Sequence, residues 1–354
     1  MPTIHPDRLH SFTRRVCAAM GSSDTEAGLV ADQLIGANLA GHDSHGVGML
    51  PAYVSGFVRG RLQINQHVSV VTDAGPVQVL DGNSGFGQVM GFEAMNRAID
   101  VARQHGVALV GLRNSFHIGR IGHWAEQCVA AGLASVHFVN VAGHTPLVAP
   151  HAGGDARFGT NPFCVGFPGS DRKPAVLLDM ATSVIAMGKA RVALNKGVPV
   201  PEGTIIDGEG RVTTDPSGMY VHPRQGALIA MGEHKGSGLA IVCELLGAAL
   251  LGGITMGEDT ARRNTVINNM LTIAIDPAAL GAGNDLAAEA AAYLGYVQAS
   301  PPRQGFDEVL LPGEPERRAR IARAGGVEVD DTTMGELREA AASAGAADAV
   351  EDLA

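Results

Sequence analysis

Val107-Ala-Leu-Val-Gly-Leu-Arg-Asn-Ser-Phe-His-Ile-Gly-Arg-Ile-Gly-His-Trp124 runs from an apolar stretch, Val107 to Leu112, through a polar turn into an amphipathic segment that stops near Gly132. A short apolar run bounded by turn residues reads as a buried strand, and the change of period after it reads as a helix. Between the two lie His117, Arg120, His123 and the chain's single tryptophan, Trp124, spaced by Gly119 and Gly122. An imidazole at a strand end, beside glycines that let backbone lie close to a ligand, suits proton transfer. His123 and Trp124 read as packing residues of the following helix.

Before this stretch, Val68 to Val71 and Pro76 to Leu80 alternate like strands around the turn Asp73-Ala-Gly75, and a helix is expected from Gln88 to Gln104. The first 62 residues read as all-helical. Leu9, Phe12, Val16 and Met20 recur at helical spacing, Ser23-Asp-Thr-Glu26 has the capping-box pattern, and Pro51 fits the first turn of a third helix. After it come strands at Ala134 to Val141, Phe163 to Phe167, Ala175 to Asp179 and Leu271 to Ile275. Helices are expected over 183 to 196, Lys235 to Leu251, 278 to 298, up to Arg323 and from Thr333, with a long surface loop or hairpin over 197 to 226. The whole is an α/β (α+β) chain.

A chain of 354 residues, 45% of them apolar, can bury a large core. Its net charge of −10, carried by scattered acidic residues, offers no basic face for nucleic acid or anionic membrane and points to small molecules as partners. Cys17, Cys128, Cys164 and Cys243 stand too far apart for a zinc motif or a disulfide framework and read as buried thiols of a cytoplasmic protein. No apolar leader is seen at the N-terminus, and Leu239 to Leu251 reads as too short to span a bilayer and carries Glu244.

The usual dinucleotide fingerprint is missing: in Gly85-Phe-Gly87-Gln-Val-Met-Gly91 the last glycine comes one place late, and Gly232-Glu-His-Lys-Gly236 lacks P-loop spacing. His42, His45, His117, His123, His144, His151 and His234 lie in or beside glycine-rich turns, yet no pair has the helical spacing of a metal motif, so no metal is expected. Asp179 suits either an acceptor that orients an imidazole or a helix N-cap for the segment after it. His234-Lys235 opens a helix where an anion such as a cofactor phosphate is favoured, Lys189 and Arg191 suit the same role or a solvated face, and Asn161-Pro-Phe163 suits a rigid turn or a cofactor contact.

Taken in order, Gly41-His-Asp-Ser-His-Gly46, Asn114-Ser-Phe-His-Ile-Gly119, Arg157-Phe-Gly-Thr-Asn-Pro-Phe163, Leu178-Asp-Met-Ala-Thr-Ser183, Glu233-His-Lys-Gly236 and Leu311-Pro-Gly-Glu314 resemble the malate/L-lactate/L-sulfolactate dehydrogenase-like oxidoreductases over nearly the whole chain. The resemblance implies a homodimer using NAD or NADP through a non-Rossmann domain with a mixed sheet, 67–299, and a discontinuous helical domain, 1–66 with 300–354. It puts His45 and His117 beside nicotinamide and substrate. Cofactor contacts are implied at His45, Gly119, Arg120, Ile121, Asn161, Leu178, Asp179, Met180, Ala181, Thr182, His234, Lys235, Leu311, Pro312, Gly313 and Glu314. Many members carry arginine where this chain has Met49, so Arg120 is the expected substitute carboxylate clamp, with Ser44 as a further substrate contact.

The expected reaction interconverts 2-oxo and 2-hydroxy acids, with His117 carrying the proton, Asp179 as its orienter and His45 bonding the substrate; exchange of roles between the two histidines stays open. Reduction of a cyclic imino acid is the alternative within the family. A histidine-rich metal-binding protein or metal hydrolase is the alternative from another class.

Overall fold

The computed structural model describes residues 1–354 apart from 172, 222, 262 and 282–284. The chain opens with strand β1 (Thr3–Ile4) and helices α1 (Pro6–Ala19), α2 (Asp24–Leu39) and α3 (Leu50–Val58). Hairpin β2 (Ser69–Ala74) and β3 (Val77–Asp81) leads to α4 (Gly87–His105), β4 (Val107–Ser115), α5 (Gly122–Ala130) and β5 (Ala134–Ala142). The middle holds β6 (Val148–Ala149), β7 (Phe163–Phe167), β8 (Val176–Met180), α6 (Met187–Lys196), β9 (Ile205–Ile206), β10 (Val212–Thr213) and β11 (Ala227–Ile229). Then come α7 (His234–Gly247), α8 (Glu258–Ala261), β12 (Ile267–Ile275), α9 (Asp285–Gln298), α10 (Glu314–Ala322), β13 (Val327–Glu328) and α11 (Asp331–Ala344).

The large sheet has the order β2-β3-β4-β12-β5-β7-β8, with β3 and β4 its one parallel pair. It is a mixed sheet in a mixed α/β fold. β12 runs antiparallel between β4 and β5, so a strand from late in the chain fills the centre of a sheet built from its first half. The irregularity between Asn268 and Met270 sets Asn268 opposite Ser115, at the end of β4 where the histidine turn begins. Helices α4 and α5 pack against the sheet, and α7 packs against β5 and β12.

The N-terminal region departs from all-helical at β1, which pairs with β13 through Thr3 with Glu328 and Ile4 with Val327. Arg8 continues the closure by donating to the carbonyls of Ala354 (2.6 Å) and Glu351 (2.8 Å). One apolar core runs from these terminal layers into the sheet, joining Leu9, Phe12, Leu34 and Tyr53 to Met90, Met95, Trp124 and Val139. Half of the expected capping box forms. The Ser23 hydroxyl accepts from Glu26 N–H at 3.2 Å, but the Glu26 carboxylate turns to Asn65 N–H and the Ser22 hydroxyl.

Two helix boundaries differ from expectation, and the 197–226 segment takes one of its two expected forms. The 183–196 helix begins only at Met187, because Ser183 bridges to Ala230 and Val184 N–H is taken by Ile229 C=O. The 197–226 excursion contains the hairpin β9–β10, and this joins a second sheet, β10-β9-β11-β6, with its own core of Val148, Ile205, Met219 and Leu228. The 278–298 helix starts at Asp285, after a short turn Pro277–Leu280 capped by Asp276; residues 282–284 of that expectation lie outside the described residues. The apolar helical stretch is also longer than read: His234–Leu251 would pass for a membrane span by length and composition alone. Here α7 instead packs against the sheet, with its Glu244 carboxylate bonded by Asn140 and Asn161.

Candidate active site

The His117 turn is held from several sides. Ile118 N–H donates to the Asn268 side chain (3.0 Å), and Ile118 C=O accepts from the Trp124 indole (3.1 Å) and the Gln33 amide (3.3 Å). Trp124 is buried and His123 packs on its edge, so both are packing residues. The glycines of the imperfect fingerprint have a steric role: a Cβ on Gly87 would lie 2.2 Å from the His117 carbonyl oxygen, and one on Gly91 2.4 Å from the Trp124 ring. They let α4 lie directly on the His117 turn.

His45 arrives from a short turn, Asp43–His45, fixed after α2 by Asn38, which bonds both Asp43 and Val47 N–H. The His45 and His117 rings stack, 5.6 Å apart and 18° from parallel. Nδ1 of His45 is 3.0 Å from the exposed Ser44 hydroxyl, whereas Nδ1 of His117 is 2.7 Å from the hydroxyl of the buried Tyr53. Tyr53 in turn accepts from the Gln88 amide at 2.7 Å. Loss of solvent, then the facing His45 and His144, pushes the His117 imidazole down to about 3. Loss of solvent, then His42 and Arg120, takes His45 to about 4. Both rings are therefore neutral near pH 7, the form that accepts a proton.

Asp179 does not reach either ring. Its carboxylate accepts from Gly122 N–H at 2.8 Å, at the start of α5, and lies 3.6 Å from the Arg120 guanidinium. The neighbour of His117 Nδ1 is thus Tyr53 and not Asp179, which caps α5 rather than the segment after β8. Burial raises the Asp179 carboxyl above its ordinary value against the opposing pull of Arg120 and Gly122. Arg120 is only 3% exposed and bonds Glu126 at 2.6 Å, with Glu126 shared by Arg320 at 2.7 Å. It lies near enough to His45 to influence it, but its guanidinium is held by two internal carboxylates instead of facing an open clamp position. Met49, where a clamp was missing, packs against the apolar core.

The other anticipated contacts fall along β8 and its neighbours. The Leu311-Pro312-Gly313-Glu314 turn sits beside β8, with Pro312 C=O accepting from Leu177 N–H, and Glu314 closes the turn onto Leu311 N–H. Gly119, Arg120 and Ile121 lead into α5, which Asp179 caps, so this group adjoins Leu178 to Met180. Past Ala181, Thr182 bonds Thr160 C=O and accepts from Met231 N–H, linking β8 to the approach of α7. Buried Asn161, at a φ of +33°, joins Val141 N–H to Ala240 C=O and Glu244 of α7. His234 and Lys235 lie exposed in the first turn of α7, and the His151 ring stands 5.9 Å from that of His234.

Sequence reasoning missed Tyr53, Gln88 and Asn268. Tyr53 lies on the buried face of α3 with Leu50 and Val54, and a tyrosine on such a face needs a partner for its hydroxyl. Nothing local points to Gln88 or Asn268. Among the described residues, no group of three or more His, Cys, Asp or Glu side chains converges as a metal-binding set.

Hydroxycarboxylate dehydrogenase B of Escherichia coli (strain K12) is 53% identical over 317 residues, covering 89% of this chain and 86% of that protein. A solved sulfolactate dehydrogenase from Methanocaldococcus jannaschii superposes with a TM-score of 0.86 at 31% identity, covering 97% of this chain and 98% of that one. A delta1-piperideine-2-carboxylate reductase from Pseudomonas syringae pv. tomato superposes with a TM-score of 0.82 at 28% identity, covering 96% and 100%. Fold and likeness together define an oxidoreductase of the dehydrogenase type. The chain belongs to the malate/L-lactate dehydrogenase family, whose model matches residues 4–338.

Proposed function

We propose that this protein is an NAD(P)-dependent dehydrogenase that interconverts small 2-hydroxy acids and 2-oxo acids, with His117 as the proton carrier. The observation that carries the reading is the stacked imidazole pair, in which Nδ1 of His117 is engaged by a buried tyrosine while Nε2 has no partner among the described residues. Family membership supports the hydroxy acid chemistry. The α7 N-terminus fits an anionic cofactor group: it has no side-chain cap, and Lys235 makes no ion pair among the described residues of an acidic protein. His234 and Lys235 would hold a phosphate there, with the β8 end, Leu178 to Thr182, and the Leu311–Glu314 turn as further contacts. A bound nicotinamide supplies the hydride acceptor or donor.

The protein's own part is the proton. In oxidation, neutral His117 takes the hydroxyl proton of the substrate at Nε2; in reduction, the imidazolium returns it to the developing alkoxide. His45, its Nδ1 bonded to Ser44, presents its other nitrogen to the substrate oxygen or carboxylate. Arg120 serves from beneath, holding Asp179 and the start of α5. The assembly proposed is a homodimer, with the terminal segments 1–66 and 300–354 as one helical unit around 67–299. Oxidation assays on lactate, malate, tartrate and aromatic hydroxy acids with NAD and NADP test the reaction; no turnover with any of them rejects it. Likeness to the piperideine carboxylate reductase favours a second reading, reduction of a cyclic imine, and assaying imine and keto acid side by side decides between them.

A further inference from the structure

Gln88 belongs to no part of the site described so far except as a neighbour of Tyr53. It is the second residue of α4 and only 1% exposed, and its side-chain oxygen has no hydrogen-bond partner among the described residues. Its nitrogen donates to Tyr53 oxygen at 2.7 Å, and that oxygen is 2.7 Å from His117 Nδ1. A phenol oxygen that accepts from Gln88 offers its own proton onward, so it donates to Nδ1 and leaves the ring proton on Nε2. That tautomer suits polarising a keto oxygen. It cannot take a proton at Nε2.

We propose that Gln88 is a positioning residue for His117: through Tyr53, the orientation of its buried amide selects which imidazole nitrogen carries the proton, and the amide reverses when His117 is protonated. For Nε2 to act as base, Nδ1 must carry hydrogen and donate it to Tyr53. The tyrosine proton then points the other way, and a half turn of the Gln88 amide presents oxygen to receive it. The unpartnered oxygen leaves nothing to break on that side. The imidazolium needs the same arrangement. With an apolar residue at 88, it would strand the tyrosine proton in the core.

The titratable groups facing the relay are few. Among the described residues, His45 and His144 bear on His117, and Cys17 as well as His117 itself bears on Tyr53. His42 and Arg120 act on His45.

The proposal rests on the reading of His117 as proton carrier, so its test does not depend on turnover. Imidazole nitrogen NMR, assigned by the signal lost in His117→Asn, reports tautomer and titration of His117 in the whole protein. The wild type should show Nε2–H in the neutral ring. Gln88→Met should lower the His117 titration midpoint by about one pH unit, and the acid limb of any turnover profile should move with it. Gln88→Glu, which offers an acceptor oxygen in either protonation state, should restore the midpoint or raise it. Tyr53→Phe should erase the difference between Gln88 and Gln88→Glu, a coupling that simple packing loss does not give. Should Gln88→Met not fold, the Gln88→Glu and Tyr53→Phe cycle makes the same measurement. Identical His117 titrations across these variants overturn the proposal. The expected shifts in a protein that oxidises no 2-hydroxy acid uphold the relay and reject the reaction instead.

Discussion

His117 and His137 are both held at about 3 by loss of solvent, yet the structure gives them opposite characters. His137 lies on β5 with no exposure, Nδ1 3.0 Å from the Thr272 hydroxyl and Nε2 2.9 Å from that of Ser135. Both nitrogens are spent inside the sheet. His117 is half-buried at the end of β4, with one nitrogen on Tyr53 and the other without a partner among the described residues. A depressed imidazole is therefore no mark of catalysis by itself; the unspent nitrogen is what separates the ring proposed to carry a proton from the one spent on structure.

The largest effect should come from breaking the reactive side of this contrast. His117→Asn should lower turnover about a thousandfold while the melting shift caused by NADH persists, and His137→Asn should leave turnover per folded molecule unchanged. Equal losses in the two variants would erase the distinction. Arg120→Ala should cost about 3 kcal/mol in urea unfolding, since it strands the buried Asp179 carboxylate. A raised Michaelis constant for a 2-oxo acid with stability intact would return Arg120 to the clamp role. His137→Asn should cost about 2 kcal/mol in the same measurement by breaking two buried hydrogen bonds.

Acid should sharpen the contrast further. His117, His137 and His45 have folded values of about 3, 3 and 4, below the ordinary 6.5, so at intermediate pH the unfolded chain binds protons that the folded one refuses. Stability from this source is fully present above about 6.5 and falls as pH drops toward 4 and then 3. Urea unfolding across that window should show a shallower slope in His137→Asn than in the wild type. The smallest effect, about 0.5 kcal/mol with turnover unchanged, belongs to His123→Ala, which removes only an edge contact on Trp124.

What the sequence made legible follows the range of the interactions involved. Helix α1, the Ser23 cap of α2 and the strand-turn-helix around His117 are written in spacings of a few residues, and they form where expected. Strands β9 and β10 have two residues each, too short for any period to register, so the turn residues suggest a hairpin as one alternative but not the sheet it joins. Imidazole partners are a matter of distant meeting: Tyr53 is 64 residues from His117, whereas the sequence puts Asp179 at a strand end without showing that this end faces Gly122 and Arg120. The late glycine departs from the fingerprint spacing, but only the packing of Gly87 and Gly91 against His117 and Trp124 shows what those residues do.

The pairing of β1 with β13 gives the molecule a clock. On the ribosome α1 and α2 emerge long before Val327 and Glu328 exist, so the strand that seals them waits until all the elements between have been made. Until then the apolar sides of α1 and α2 lack part of their cover, which makes the nascent chain, more than the finished enzyme, the state in which chaperone demand should be concentrated.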